Sequence, residues 1–174
     1  ETGYDPILLN SKYNVDYHVR AFNKLCAMLK GYVSKMIVSF VDDYKNVRNN
    51  HLDYHEPSNE EYLKLKEAFE KNDMKIVSCM ENKYQIGDEK DCCISIKYAF
   101  ERTGKLFKEW KARDCHCVNM VDVGAYNSCL HGCKYCYANF DSKQIVSNYK
   151  MHDVNSSLLI GHLNLDDQVK IRRK

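Results

Sequence analysis

Cys129, Cys133 and Cys136 lie at C-x3-C-x2-C spacing within the stretch Ser128-Cys129-Leu130-His131-Gly132-Cys133-Lys134-Tyr135-Cys136-Tyr137. An aromatic residue directly precedes the third thiol and a glycine the second. Three thiolates on one small loop can ligate three irons of a 4Fe-4S cube, with the fourth iron left open to chemistry. Zinc is the competing reading, although structural zinc sites normally close with four ligands arranged as two pairs. Plain burial of the three thiols is the third. His131 sits inside the loop, but a three-cysteine pattern does not need it.

Other residues could join this chemistry or stand apart from it. Cys115-His116-Cys117 could complete a zinc site with two of the later thiols, ligate a second cluster, or start a strand. Cys92 and Cys93, expected at a helix start, would have a lowered pKa if the helix N-terminus acts on them, with burial of one of the pair as the alternative. Asp42 and Glu81 each follow an apolar, strand-like run. They read either as solvated loop carboxylates or as ligand-binding acids.

The elements that must position these residues follow from periodicity. A short apolar run at 4–9, entered through Asp5-Pro6, reads as the end of a strand turning into a loop. Apolar residues at i, i+3, i+4 and i+7 predict a helix over 15–32, ended near Gly31 and burying Cys26 as a small hydrophobe. The run 35–41 is β-branched and nearly continuous, as in a strand buried on both faces. Ser58 and Glu61 form an S-x-x-E capping box ahead of a helix that carries Tyr62, Leu65 and Phe69 on one face. Strands are expected at 74–80 and 118–124, a helix at 93–102 and an amphipathic segment at 106–111. The polar stretch up to Asp153 carries little periodicity, and 158–161 is a short apolar patch.

Strands alternating with helices indicate an α/β fold built from parallel βαβ units. In such folds the C-terminal ends of the strands share a rim where ligand-binding loops gather. Asp5, Asp42, Glu81 and the Cys129 loop are all expected on that rim. At 174 residues the chain fits one domain, with residues 115–139 as its cysteine-rich segment.

Composition narrows the function classes. Lys and Arg number 26 against 24 Asp and Glu, and the resulting net charge of +2 is too weak for an electrostatic nucleic-acid footprint. The one basic cluster, 170–174, reads as a solvated end. No run is long and apolar enough for a transmembrane helix, and no signal pattern opens the chain, so a cytoplasmic location is expected. Nine cysteines in a reducing compartment favour metal binding, catalysis or burial over disulfides. The opening Glu1-Thr2-Gly3, without an initiator Met, fits either a fragment or residues left by an expression tag.

With these residues in place, the C-x3-C-x-aromatic-C loop resembles the signature of radical S-adenosylmethionine enzymes. The wider pattern is similar to an uncharacterised bacterial and archaeal domain of unknown function with a radical-SAM-like C-terminal cysteine cluster, itself distantly similar to spore photoproduct lyase. The segments that carry this likeness are Tyr4-Asp5-Pro6-Ile7, Val38-Ser39-Phe40-Val41-Asp42, Cys79-Met80-Glu81, Cys115-His116-Cys117, Asp122-Val123-Gly124-Ala125-Tyr126-Asn127, Cys129 through Asn139, and Asn155 through Gly161.

The resemblance implies a 4Fe-4S cluster on Cys129, Cys133 and Cys136, with S-adenosylmethionine on the open iron and a 5'-deoxyadenosyl radical acting on an unknown substrate. Tyr135 would support the adenine, and Glu81 or Asp42 would receive the amino group. An electron donor such as a ferredoxin or flavodoxin is implied. The likeness to spore photoproduct lyase brings DNA in as a candidate substrate, which the net charge does not support. The implied fold is part of a radical-SAM-like (β/α) barrel. Members are longer at the N-terminus, with an Arg before Tyr-Asp-Pro where this chain has Gly3, so the barrel is expected to be incomplete. The cysteines lie near the C-terminus rather than beside the first strand, which a permuted arrangement would explain. The alternative function is a non-catalytic metal-binding protein with a structural zinc or closed iron-sulfur site.

Overall fold

The computed structural model describes residues 1–79, 81, 83–88, 91–111 and 115–171. Met80, in the run predicted as a strand, and Arg172, Arg173 and Lys174 of the basic end lie outside the described residues. The chain divides into two compact units, Glu1–Asp42 with Asp53–Val121, and Asp43–Leu52 with Asp122–Lys174.

The first unit is built on a three-stranded parallel sheet of order β1-β2-β3, where β1 is Thr2–Ile7, β2 Lys35–Phe40 and β3 Lys75–Ser78. Helix α1 (Val15–Leu29) joins β1 to β2, and α3 (Asn59–Glu70) precedes β3. The two-residue alternation of a strand sets the faces. Met36, Val38 and Phe40 point into a core with Phe22 and Cys26 of α1 and Leu65 and Phe69 of α3. Phe22 and Phe69 stack with ring centroids 3.8 Å apart, and Tyr4 meets both edge-on. Each buried ring contributes about 2–3 kcal/mol. Opposite-facing Lys35, Ile37 and Ser39 are thereby left to carry other work.

Helix ends follow local chemistry. Asn14 caps α1 by accepting from the Tyr17 N–H, and Gly31 (φ 85°) lets the chain leave it in the left-handed region. The Ser58–Glu61 capping box is present in full at α3. His18 is a satisfied core histidine, 2.8 Å from the Tyr4 hydroxyl and 2.9 Å from the Leu8 carbonyl.

Several expectations are corrected. Asp5 lies inside β1 rather than past its end, because that strand continues to Ile7 through an irregular register after Tyr4. Helix α4 (Ile96–Thr103) begins three residues later than expected. Ser95 caps it, while the Cys92 and Cys93 carbonyls are held by Lys35 Nζ at 2.8 Å each and the Ile94 carbonyl accepts the Val118 N–H. Those bonds keep 92–94 out of the helix.

Residues 118–124 do not form a fourth parallel strand. Cys117 and Val118 instead make isolated antiparallel bridges with Ser95 and Glu109, and Val121 and Val123 are exposed. The amphipathic segment 106–111 lies against the same stretch: the Trp110 N–H is given to Cys117 O at 2.8 Å, and Lys108 O accepts from the Asn119 N–H at 2.7 Å. Among the described residues the sheet therefore has three strands, and no barrel is formed.

The second unit contains two helices that periodicity did not signal, α2 (Lys45–Asn49) and α5 (Ser142–Lys150). Both are short. Asp141 caps α5, its carboxylate accepting the N–H groups of Lys143 and Gln144. No helix among the described residues is long and apolar enough to cross a membrane.

Candidate metal centre

In the second unit, the cysteine loop is held by asparagine side chains that bind its backbone. Asn46, buried on α2, donates to the carbonyls of Cys136 at 2.6 Å and of Asn139. Asn50, which follows α2, donates to Lys134 O at 3.0 Å, and Asn139 donates to Cys129 O at 2.7 Å. Cys136 N–H turns back onto Cys133 O, and Gly132 supplies a φ of 65° that an L side chain would resist. The carbonyls of Cys129, Lys134 and Cys136 are thus fixed from behind. The thiols of Cys129 and Cys133 are exposed and that of Cys136 is half-buried.

Asn127 closes the base of this loop. It is 2% exposed and sits at a φ of 54°. Its Oδ1 accepts the N–H groups of Phe140 (2.8 Å) and Asp141 (3.0 Å), and its Nδ2 donates to Gln144 Oε1 at 2.9 Å. Asn148 of α5 donates to the Asn127 carbonyl at 3.0 Å. One buried amide therefore joins both ends of the loop to α5. Sequence reasoning missed Asn46, Asn127, Asn139 and Asn148, since a short polar side chain carries no periodic signal.

Tyr135 lies within the loop and is part-exposed. Beside it in the same unit Tyr137 meets Tyr44 at 5.7 Å and Tyr126 at 6.5 Å between centroids, and Tyr126 meets Phe140 at 6.0 Å. These exposed rings give the unit an aromatic surface. Only Tyr135 was singled out from the sequence.

The acids form their own group in the first unit. Ser39 Oγ donates to Asp5 Oδ1, and Glu81 Oε1 accepts the Phe40 N–H at 2.6 Å. Burial pushes the Glu81 carboxyl up from the ordinary 4.5 to about 7, with the Phe40 N–H opposing and the charges of Asp42 and Asp5 adding to the rise. Asp5, within β1, and Asp42, after β2, thus lie close enough to Glu81 for their charges to act on it, whereas the Cys129 loop follows no strand of the sheet.

Cys92, Cys93 and Cys115 of this unit are held as thiols rather than activated thiolates. Burial and then contact with Cys117 push Cys92 up to about 12. Contact with the Cys79 thiol, followed by burial and by Cys117, raises Cys93. The lowered pKa expected at a helix start is therefore absent, because both residues precede the α4 cap and lie among other thiols. Cys115 is also raised, by burial first, and His116 is exposed with its Nδ1 2.8 Å from Glu109 Oε1. Among the described residues, no three or more His, Cys, Asp or Glu side chains are already grouped to hold a metal ion.

A model described as "Domain of unknown function (DUF1848)" matches residues 3–138, a span that includes the cysteine loop and all of the sheet but Thr2. The chain belongs to that family. No curated protein and no solved structure matches it.

Proposed function

We propose that this chain is an iron-sulfur protein that works in the manner of the radical S-adenosylmethionine enzymes. The observation that supports this reading is the cysteine loop: three thiols within eight residues, two exposed and that of Cys136 half-buried, on a backbone whose carbonyls are tied down by Asn46, Asn50 and Asn139. The donor set fits a 4Fe-4S cluster, whose iron takes cysteine thiolates and whose bulk spreads them wider than a single ion would. Cys129, Cys133 and Cys136 would hold it. When bound with S-adenosylmethionine and reduced, such a cluster supplies one-electron cleavage of the sulfonium and a 5'-deoxyadenosyl radical.

The protein's own part is to hold, orient and exclude water. Asn127 keeps the loop's ends together, so the three thiols are presented with little backbone entropy left to lose. Tyr135 is assigned to the adenine face, with Tyr126 and Tyr137 extending the aromatic surface. The fold would be a partial, permuted relative of the radical-SAM barrel, its distant likeness to spore photoproduct lyase included. The electron donor would be of the ferredoxin or flavodoxin class and the compartment the reducing cytoplasm. Anaerobic reconstitution tests the reading: iron and sulfide retained by the chain and lost in the Cys129→Ser, Cys133→Ser, Cys136→Ser variant support it, and equal iron in both proteins refutes it.

A further inference from the structure

We propose that the cavity beside Trp110, in the first unit, binds a free nucleotide, that is, a phosphate ester carrying a planar nitrogenous base. The cavity measures about 770 Å3, within the range of small-molecule sites, and is lined by Lys108, Glu109, Trp110, Lys111 and Asn119. These residues belong neither to the cysteine loop nor to the acids around Glu81.

Hydrogen bonds set what faces the cavity. Trp110 N–H donates to Cys117 O at 2.8 Å and Asn119 N–H to Lys108 O at 2.7 Å, the pattern of an antiparallel pair centred on Glu109 and Val118. Lys108 therefore stands opposite Asn119 and Trp110 opposite Cys117, and by the two-residue alternation of extended chain these four share one side of the pair. Cys117 is buried, which leaves Lys108, Trp110 and Asn119 to meet a ligand. Past Trp110, the Lys111 N–H turns back to the Glu109 carbonyl at 3.1 Å, which holds Lys111 at the same cavity.

The chemistry of this lining selects the ligand. Trp110, half-buried, is the chain's single tryptophan, and an indole offers a broad π face on which a planar base stacks. Lys108 and Lys111 are exposed and flank it in sequence, compact charges of the kind that hold phosphate. Asn119 carries both a donor and an acceptor for the edge of a base. Glu109 is the acid of the lining; its Oε1 is engaged by His116 Nδ1 at 2.8 Å, and the two lysines leave the lining positive. An uncharged aromatic ligand would not use the lysines, and inorganic phosphate would not use the indole. A nucleotide uses both. A nucleic-acid strand is disfavoured by the chain's net charge of +2, too weak to hold a polyanion.

Because the chain has a single tryptophan, its fluorescence reports on this cavity. The full chain is titrated with AMP, adenosine, inorganic phosphate and a short single-stranded oligoadenylate, with tryptophan amide as the inner-filter control. The expected result is saturable quenching by one equivalent of AMP, at least about tenfold weaker binding of adenosine, and no quenching by phosphate alone. The Lys108→Ala, Lys111→Ala double variant changes only exposed side chains, and far-UV circular dichroism checks its fold. It should bind AMP at least about tenfold more weakly and adenosine as the parent does. The Cys129→Ser, Cys133→Ser, Cys136→Ser variant should bind AMP as the parent does, which separates this site from the cysteine loop. Quenching by AMP that does not saturate, an AMP affinity unchanged in the lysine variant, loss of AMP binding with the three cysteines, or an oligoadenylate bound more tightly than AMP would overturn the proposal.

Discussion

The Glu81 carboxylate accepts the backbone N–H of Phe40 at 2.6 Å, which ties the loop after β3 to the end of β2 and buries an acid beside two others.

Glu81 should make stability depend on pH in an unusual direction. Its carboxyl titrates near about 7 in the folded chain against the ordinary 4.5. The folded state thus keeps a proton that the unfolded state gives up. The resulting stabilisation is full below 4.5 and is lost as the pH rises through about 7. Glu81→Gln keeps an acceptor for Phe40 and cannot ionise. Urea midpoints measured between about pH 5 and about pH 8 should fall less in the variant than in the parent. Parallel pH profiles would rule the account out.

Asn127→Ala should loosen the cysteine loop without touching a thiol. It strips the Phe140 and Asp141 N–H groups of their acceptor and places a side chain without local hydrogen bonds at a φ of 54°. A cost of about 2–4 kcal/mol is expected. Amide exchange across 127–144 should speed up and the iron content after reconstitution should drop. Unchanged exchange there would show that the loop is held by other means.

Gly87 and Gly31 separate two effects of one substitution. Both have positive φ, but a Cβ on Gly87 would sit 2.2 Å from the Ile76 carbonyl oxygen, whereas one on Gly31 meets nothing within 4 Å. Gly31→Ala should cost about 1–2 kcal/mol from backbone strain alone. Gly87→Ala should cost at least about 2 kcal/mol more, because β3 backbone must move. Thermal unfolding of the pair measures the difference, and equal losses would contradict the packing account.

The sheet and its two covering helices were legible because each carries a strong local signal. Continuous β-branched runs marked β2 and β3, a 3.6-residue stripe marked α1, and a capping box marked α3. The acids were found through the rule that parallel strands share a rim. What was not legible depends on partners distant in sequence. Residues 118–124 have strand-like composition, yet Cys117 and Val118 pair with Ser95 and Glu109 in antiparallel bridges. The start of α4 is displaced by the bonds that Lys35 makes to Cys92 and Cys93.

At the candidate site, the thiols were visible as a spacing. The asparagines that hold them were not, since their role lies in carbonyls up to 93 residues away. Helix α5 escaped notice because nine residues give a weak period, although Asp141 ahead of it is a good cap.

The central claim is that Cys129, Cys133 and Cys136 carry a cluster able to open S-adenosylmethionine. It is tested most directly by reconstituting the chain anaerobically with iron and sulfide, reducing it with dithionite in the presence of S-adenosylmethionine, and assaying for 5'-deoxyadenosine. The account predicts 5'-deoxyadenosine from the parent and none from the Cys129→Ser, Cys133→Ser, Cys136→Ser variant. A reduced, cluster-loaded parent that leaves S-adenosylmethionine intact would contradict it.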